Sequence, residues 1–196
     1  VLVLAGRSAL DSTRRERLER LAELGAQVEY RQADVSHADE AQALIEEIIQ
    51  SHGQLHGVVH AAGVLQDNYL LNKTAEEVRM VLAPKVTATL HLDRATQELA
   101  LDFFVVFSSI AGVMGNPGQA DYAMGNAFMD AFADQRNTQV ARGQRCGRTL
   151  SINWPLWRDG GMRVDAITEM LMRQHTGLEV LETQDLSLIH ISEPTR

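Results

Sequence analysis

Four side chains in this sequence have the types and spacing that suit reduction of a carbonyl group. Tyr122 and Asn126 lie four residues apart at the start of a long helical stretch, which places them on one face. Ser109 ends a strongly β-prone run thirteen residues before Tyr122, behind a glycine-rich loop. Lys85 follows Pro84 in the preceding helical stretch. A phenol can protonate a developing alkoxide when a neighbouring ammonium lowers its pKa. A serine hydroxyl can hydrogen-bond the carbonyl oxygen and polarise it. A lysine can hold a ribose hydroxyl while supplying that charge, and an asparagine can anchor a water that replaces the proton. Each residue alone has a plainer reading. Tyr122 would be partly buried, Lys85 a solvated charge, Ser109 a loop cap in competition with Ser108, and Asn126 a polar residue facing water. The chain has sixteen arginines and only two lysines, Lys73 and Lys85, so surface charge is met by arginine and an ammonium at 85 points to a specific need.

These residues must be positioned by an alternation of short apolar runs with longer amphipathic ones. The runs Val1–Ala5, Gln27–Arg31, Gly57–His60, Asp102–Phe107 and Leu150–Asn153 read as strands. A helix capped by Ser12 is predicted through about Leu24, with Leu18, Leu21 and Leu24 on one side. A Ser36–Asp39 capping box predicts a second helix with Ala41, Leu44, Ile45, Ile48 and Ile49 inward. Thr74 and Glu77 form a clearer box, and the helix after it must break or kink at Pro84. Residues 119–136 read as the long helix. Such alternation predicts βαβ units, a parallel sheet with helices on both faces and one α/β domain. Ligands bind at the carboxyl ends of such strands. That singles out Gly6-Arg7-Ser8, Asp34-Val35, His60-Ala-Ala-Gly63 and Ser108-Ser109 along one edge.

Composition narrows the function classes. The 196 residues are 45% apolar with a formal net charge of −8, enough for a core and wrong for phosphate neutralisation, so no nucleic-acid partner is expected. No apolar run is long enough for a membrane span, and no leader opens the chain. Cys146 stands alone, which excludes an internal disulfide and fits a reducing, cytoplasmic setting. His37, His52, His56, His91 and His175 lack ligand spacing, so no metal is expected. Both ends read as artificial. Val1 opens inside an apolar run with no initiator Met and no preceding turn, and reads as the middle of something longer. Residues 186–196 match, in all eleven codons, the translation of a transposase sequencing adapter, against the alternative of a real strand over 188–191. The expected native domain is therefore 1–185.

Seven motifs in order carry a family resemblance: Gly6-Arg-Ser8, Ala33-Asp-Val35, Val59-His-Ala-Ala-Gly-Val64, Leu82-Ala-Pro-Lys-Val86, Phe107-Ser-Ser109, Gly115-Asn-Pro-Gly-Gln-Ala-Asp-Tyr122 and Ile152-Asn-Trp154. Residues 1–177 resemble the ketoreductase domain of modular type I polyketide synthases, within the short-chain dehydrogenase/reductase superfamily. The resemblance implies a Rossmann-like doubly wound sheet, truncated at its N-terminus with the first strand and glycine-rich loop missing, so that 1–185 alone would bind the dinucleotide poorly, and a catalytic tetrad of Lys85, Ser109, Tyr122 and Asn126. It implies NADPH as hydride donor and, as substrate, a β-ketoacyl thioester on an acyl carrier protein, beside other domains of the same synthase. The implied cofactor contacts are Gly6, Arg7, Ser8, Asp34, Val35, Ala61, Ala62, Gly63, Lys85, Tyr122 and Pro155. Leu65, Asp67, Met114, Pro117 and Met162 are the implied substrate contacts.

Arg7 stands where an NAD enzyme often carries an acidic ribose ligand, and a cation there suits a 2′-phosphate, hence NADPH; the alternative is plain surface charge. Asp34 resembles an adenine contact and equally a turn residue before Ser36. The loop Gly112–Gly118 lacks dinucleotide spacing and reads as an active-site loop. Leu65-Gln-Asp67 resembles the Leu-Asp-Asp fingerprint of B-type ketoreductases with its middle residue changed. Met114 replaces the tryptophan of A-type domains, Pro117 agrees with the B type, and Asp121 departs from the usual asparagine. Together these imply a D-configured β-hydroxyl. Trp154-Pro-Leu-Trp157 and Gly160-Gly-Met-Arg-Val-Asp165 look like trans-acyltransferase synthases, with 164–175 a lid over the pantetheine arm or a plain surface helix. Two alternatives remain: a stand-alone short-chain reductase of a free ketone, and a reduction-inactive scaffolding domain.

Overall fold

Each strand in this chain is returned by a helical crossover, so paired strands run parallel. The computed structural model describes residues 1–162, 164 and 166–188. Strand β1 (Leu2–Gly6) leads through α1 (Ser12–Glu23) to β2 (Val28–Gln32), and the two pair from Leu2 opposite Val28 to Gly6 opposite Gln32. Helix α2 (Ala38–His52) then leads to β3 (Gly57–His60). Next come α3 (Ala75–Leu82), a π-helical turn (Ala83–Thr87), α4 (Ala88–Ala95) and β4 (Phe103–Ser109). The chain continues through a single-turn α5 (Ala111–Met114), α6 (Ala120–Ala141), β5 (Arg148–Trp154), α7 (Ala166–Thr176) and α8 (Thr183–Leu188).

The expected single sheet is found as two parallel pieces, β1–β2 and β3–β4–β5, with no ladder between them among the described residues. They share a core instead. Leu44, Ile45 and Ile48 of α2 pack on Ala33, Val3 and Val35, while Phe104, Val106, Met129 and Phe132 form the centre under β3–β5. Val35, Leu55 and Leu99 belong to both clusters. Full burial of each large apolar side chain there contributes ~1.5–3 kcal/mol. Arg136 bolts α6 to its surroundings from within: its guanidinium donates to Asp93 at 2.8 Å, the Gly147 carbonyl at 2.8 Å and the Thr149 hydroxyl at 3.0 Å.

Several local expectations need correcting. Asp11, not Ser12, caps α1, because its carboxylate accepts from the Arg14 amide at 2.8 Å. Leu18 and Leu21 are half-buried, but Leu24 is 83% exposed beyond the helix end. The Ser36–Asp39 box does not form. The Ser36 hydroxyl turns back to Asp34 at 2.6 Å, and His37 stands at the cap with its ring paired to the Glu40 carboxylate at 3.0 Å instead of a helix amide. The Thr74–Glu77 box is complete. Helix α6 runs past Arg136, since nothing breaks it before Gly143 at φ 72°. Strand β5 starts two residues early because Arg148 and Thr149 already pair with β4. Helix α8 runs from Thr183 to Leu188, and residues 189–196 lie outside the described residues. No described helix is long and apolar enough to cross a membrane.

Candidate active site

The π-helical turn is the starting point. Pro84 has no amide hydrogen and its ring crowds the preceding turn, so the α-helical ladder cannot pass through it unchanged. The chain widens by one residue instead, and the Ala88 amide reaches back to the Ala83 carbonyl. Two buried side chains brace this turn. The His60 ring donates from Nε2 to the Pro84 carbonyl at 2.7 Å, and the Thr89 hydroxyl donates to the Lys85 carbonyl at 2.6 Å.

Lys85 is thereby turned inward. Its ammonium is buried, donates to the Phe107 carbonyl at 3.0 Å, and lies 5.3 Å from the centre of the Tyr122 ring. Gly125 on α6 makes this approach possible: a Cβ there would lie 3.1 Å from Lys85 Cβ and 3.6 Å from Leu82 Cδ2. Burial lowers the Lys85 pKa to about 8, with the Asp130 carboxylate opposing. Burial also lowers His60 to about 4; the bond to Pro84 opposes this and the Lys85 charge adds to it. His60 is therefore neutral near pH 7, and its one ring proton is the one given to Pro84.

Tyr122 sits in the first turn of α6, buried with Val81 and Ala111 against Val64, Leu65 and Met162. Among the described residues its hydroxyl meets only the Met162 sulfur, at 3.6 Å, a weak acceptor. Asn126 is fully buried and donates from Nδ2 to the Tyr122 carbonyl at 2.7 Å, while its Oδ1 has no partner among the described residues. A buried acceptor of this kind calls for a water or a ligand hydrogen. The neighbouring serines have different partners. Ser108 donates to the Asn126 carbonyl at 3.1 Å, tying β4 to α6. The Ser109 oxygen accepts from the Ala111 amide at 3.2 Å, which leaves its proton to donate.

Sequence reasoning did not single out the supports of this group. Asn153 donates to Asp130 at 2.8 Å and to the Ser109 carbonyl at 3.2 Å, and Asp130 also accepts from Ser151 at 2.5 Å. The signal for Asp130 was present: it follows Tyr122 and Asn126 at successive intervals of four on one helix face. His60 and Asn153 lay unremarked inside quoted motifs, whereas nothing in the pattern marked Thr89.

The expected cofactor contacts line the carboxyl ends of the strands. The Gly6 carbonyl is held by the Ala33 amide at 3.0 Å, and the Arg7 carbonyl by Gln32 at 3.0 Å, with Arg7 and Ser8 exposed. Burial raises the Asp34 pKa, but bonds from the Ser36 hydroxyl and amide and the charges of Arg7 and His37 bring it below its ordinary value. Val35 is core. Ala61 and Ala62 are exposed after β3, and Pro155 is half-buried after β5. Gly63 faces the lysine: a Cβ would lie 3.3 Å from Lys85 Cε and 3.6 Å from Nζ.

On the other side, Leu65 packs in the Tyr122 cluster, and Asp67 accepts from Gln119 at 2.8 Å. Met114 is exposed at the end of α5 and Pro117 lies in the loop before α6. Within the segment 160–165, Arg163 and Asp165 lie outside the described residues, as does the His175 side chain in α7.

Parallel sheets flanked by helices, with Lys85 beside the Tyr122 ring and Asn126 bonded to the Tyr122 carbonyl, place the chain with the short-chain dehydrogenase/reductase class of oxidoreductases. The KR domain family model matches residues 1–159, and the chain belongs to that ketoreductase family. It is 49% identical over 183 residues to polyketide synthase PksL of Bacillus subtilis (strain 168), covering 93% of this chain and 4% of that protein. It is 50% identical over 184 residues to polyketide synthase PksN of the same organism, covering 94% of this chain and 3% of that protein. The crystal structure of a ketoreductase domain from the bacillaene assembly line superposes with a TM-score of 0.92 at 46% identity, over 96% of this chain and 45% of that one. The chain thus spans a few per cent of the length of these synthases.

Proposed function

We propose that residues 1–185 are catalytic sequence of a ketoreductase domain in a cytoplasmic modular polyketide synthase, and that 186–196 are adapter translation. The domain reduces the β-carbonyl of a β-ketoacyl thioester, carried by an acyl carrier protein, to a hydroxyl. The observation that carries this reading is the buried Lys85–Tyr122–Asn126 arrangement, with an ammonium beside the phenol ring and an open Asn126 Oδ1. Relatedness to two synthases supports the setting.

The residues present fit NADPH. Gly63 keeps the space over the Lys85 ammonium free of a side chain, and Arg7 supplies a cation after β1. In this reading Gly6, Arg7 and Ser8 receive the adenosine ribose and its 2′-phosphate, Asp34 and Val35 the adenine, and Ala61, Ala62, Gly63 and Pro155 the rest of the dinucleotide. Lys85 holds the nicotinamide ribose. NADPH, when bound, supplies the hydride. Ser109 donates to the carbonyl oxygen and holds it toward Tyr122. Tyr122 gives its phenolic proton to that oxygen as charge develops, and a water anchored on Asn126 Oδ1 replaces the proton. The Lys85 ammonium stabilises the phenolate left between these events.

Leu65, Asp67, Met114, Pro117 and Met162 form the substrate side. The retained Asp67 and the methionine at 114 support the B-type, D-configured product, and the residues after Asn153-Trp154 support a trans-acyltransferase synthase. The test is to incubate the ketoreductase domain containing this chain with NADPH and a short β-ketoacyl thioester. One D-configured β-hydroxyacyl product is expected. Absence of reduction overturns the reading, and an L-configured product overturns the stereochemical part alone.

A further inference from the structure

The second of the chain's two lysines is also buried. Lys73 and Asp121 form an ion pair with their side chains 1% and 2% exposed. Asp121 lies in the first turn of α6, directly before Tyr122. Its two oxygens do separate things: Oδ1 accepts from the Tyr122 amide at 2.9 Å, and Oδ2 accepts from the Lys73 ammonium. Lys73 closes the segment that leaves β3 and carries Leu65 and Asp67, immediately before the Thr74 cap of α3. The same segment is tied to the loop before α6 at two further points. Gln119 donates to Asp67 at 2.8 Å, and the Asn68 amide donates to the Gly118 carbonyl at 2.9 Å.

A buried ion pair is a poor source of stability, because desolvation offsets most of the attraction and apolar replacements of similar volume are often neutral. Its two charges are satisfied in a narrow range of geometries, however, so it selects one alignment of the elements it joins. Here those elements are the strip bearing Leu65 and Asp67 and the helix turn bearing Tyr122. We propose that Lys73 and Asp121 are positioning residues that set this strip against Tyr122, and so decide how the β-ketoacyl chain lies and which hydroxyl configuration forms. The inference rests on the functional reading above and extends it to two residues that touch neither reacting atom.

The test uses K73M/D121N in the ketoreductase domain containing this chain. Methionine keeps the length of the lysine stem, and asparagine keeps an oxygen for the Tyr122 amide, so the variant removes the ion pair and leaves the bond from that amide. Thermal melting, the KM for NADPH, the KM for a β-ketoacyl thioester, kcat and the enantiomer ratio of the product are measured. We expect a melting temperature near that of the unsubstituted domain and an NADPH KM within about twofold. The thioester KM should rise about tenfold, as sub-ångström to ångström displacements of a substrate wall do, and the minor enantiomer should exceed about a tenth of the product. The same readouts on K73Q/D121N, which keeps a neutral hydrogen bond between these positions, should shift the same way by less. An unshifted thioester KM with a single enantiomer in the folded variants overturns the inference alone. No reduction by the unsubstituted domain overturns the functional reading and this inference with it.

Discussion

The Lys85 ammonium lies 5.3 Å from the centre of the Tyr122 ring although the two residues come from different helices and are 37 positions apart. A widened helical turn and a glycine on α6 create that relationship. Lys85 has a pKa of about 8, so the ammonium is present at neutral pH and is lost above it. The proposed mechanism therefore predicts an alkaline limb near pH 8 in kcat/KM, reporting the free enzyme. Stability moves oppositely. The folded pKa lies below the ordinary lysine value of 10.5, so the unfolded chain binds more protons between about pH 8 and 10.5, and Lys85's contribution to stability rises across that window. A pH series of kcat/KM and melting temperature checks both signs.

His60 has the corresponding effect on the acid side. Its folded pKa of about 4 lies below the ordinary histidine value of 6.5, so the unfolded chain binds the extra proton between these values. Stability attributable to His60 is complete above about pH 6.5 and is lost as pH falls toward 4, by about 3 kcal/mol in all. His60→Gln keeps a donor for the Pro84 carbonyl but cannot titrate. Urea unfolding at pH 7 and pH 4.5 should show a smaller acid loss in this variant than in the parent.

Gly125→Ala tests the closeness of the two helices. The new methyl would lie 3.1 Å from Lys85 Cβ, so the π-turn or α6 must shift by a few tenths of an ångström. We expect a destabilisation of ~1–3 kcal/mol, as for other overpacked sites, together with reduced turnover. Unchanged kcat and melting temperature would show that the contact does not govern the site.

Arg7→Asp tests the cofactor reading. Replacing the cation after β1 by a carboxylate should repel a 2′-phosphate and suit a bare ribose. Kd for NADPH should rise by at least about tenfold, a cost of about 1.4 kcal/mol, while Kd for NADH changes little. Equal losses for both cofactors would remove Arg7 from that role.

The legible part of this molecule was its alternation. Strand β3 appears within the limits its apolar run predicts, and the Thr74 box forms because hydroxyl and carboxylate need only local geometry. Ser36 failed where Thr74 succeeded because Asp34, two residues away, competed for its hydroxyl. The split between β1–β2 and β3–β5 is a matter of which edges meet, which periodicity does not encode. In the candidate site, motif order singled out Lys85, Ser109, Tyr122 and Asn126. It did not identify what supports them, since the contacts of His60, Thr89, Asn153 and Lys73 depend on tertiary approach. Lysine scarcity was informative for both residues: Lys73, like Lys85, is buried and paired with a specific oxygen.

The central claim is that Tyr122 donates the proton in a carbonyl reduction. Its most direct test is Tyr122→Phe in the ketoreductase domain containing this chain, with turnover of a β-ketoacyl thioester measured beside NADPH affinity. The ring, its packing on Val81 and Ala111 and its place beside Lys85 are retained, and only the hydroxyl is removed. Turnover should fall by about 10²–10⁴-fold, with NADPH affinity within about twofold of the parent. Full turnover in this variant would contradict the claim.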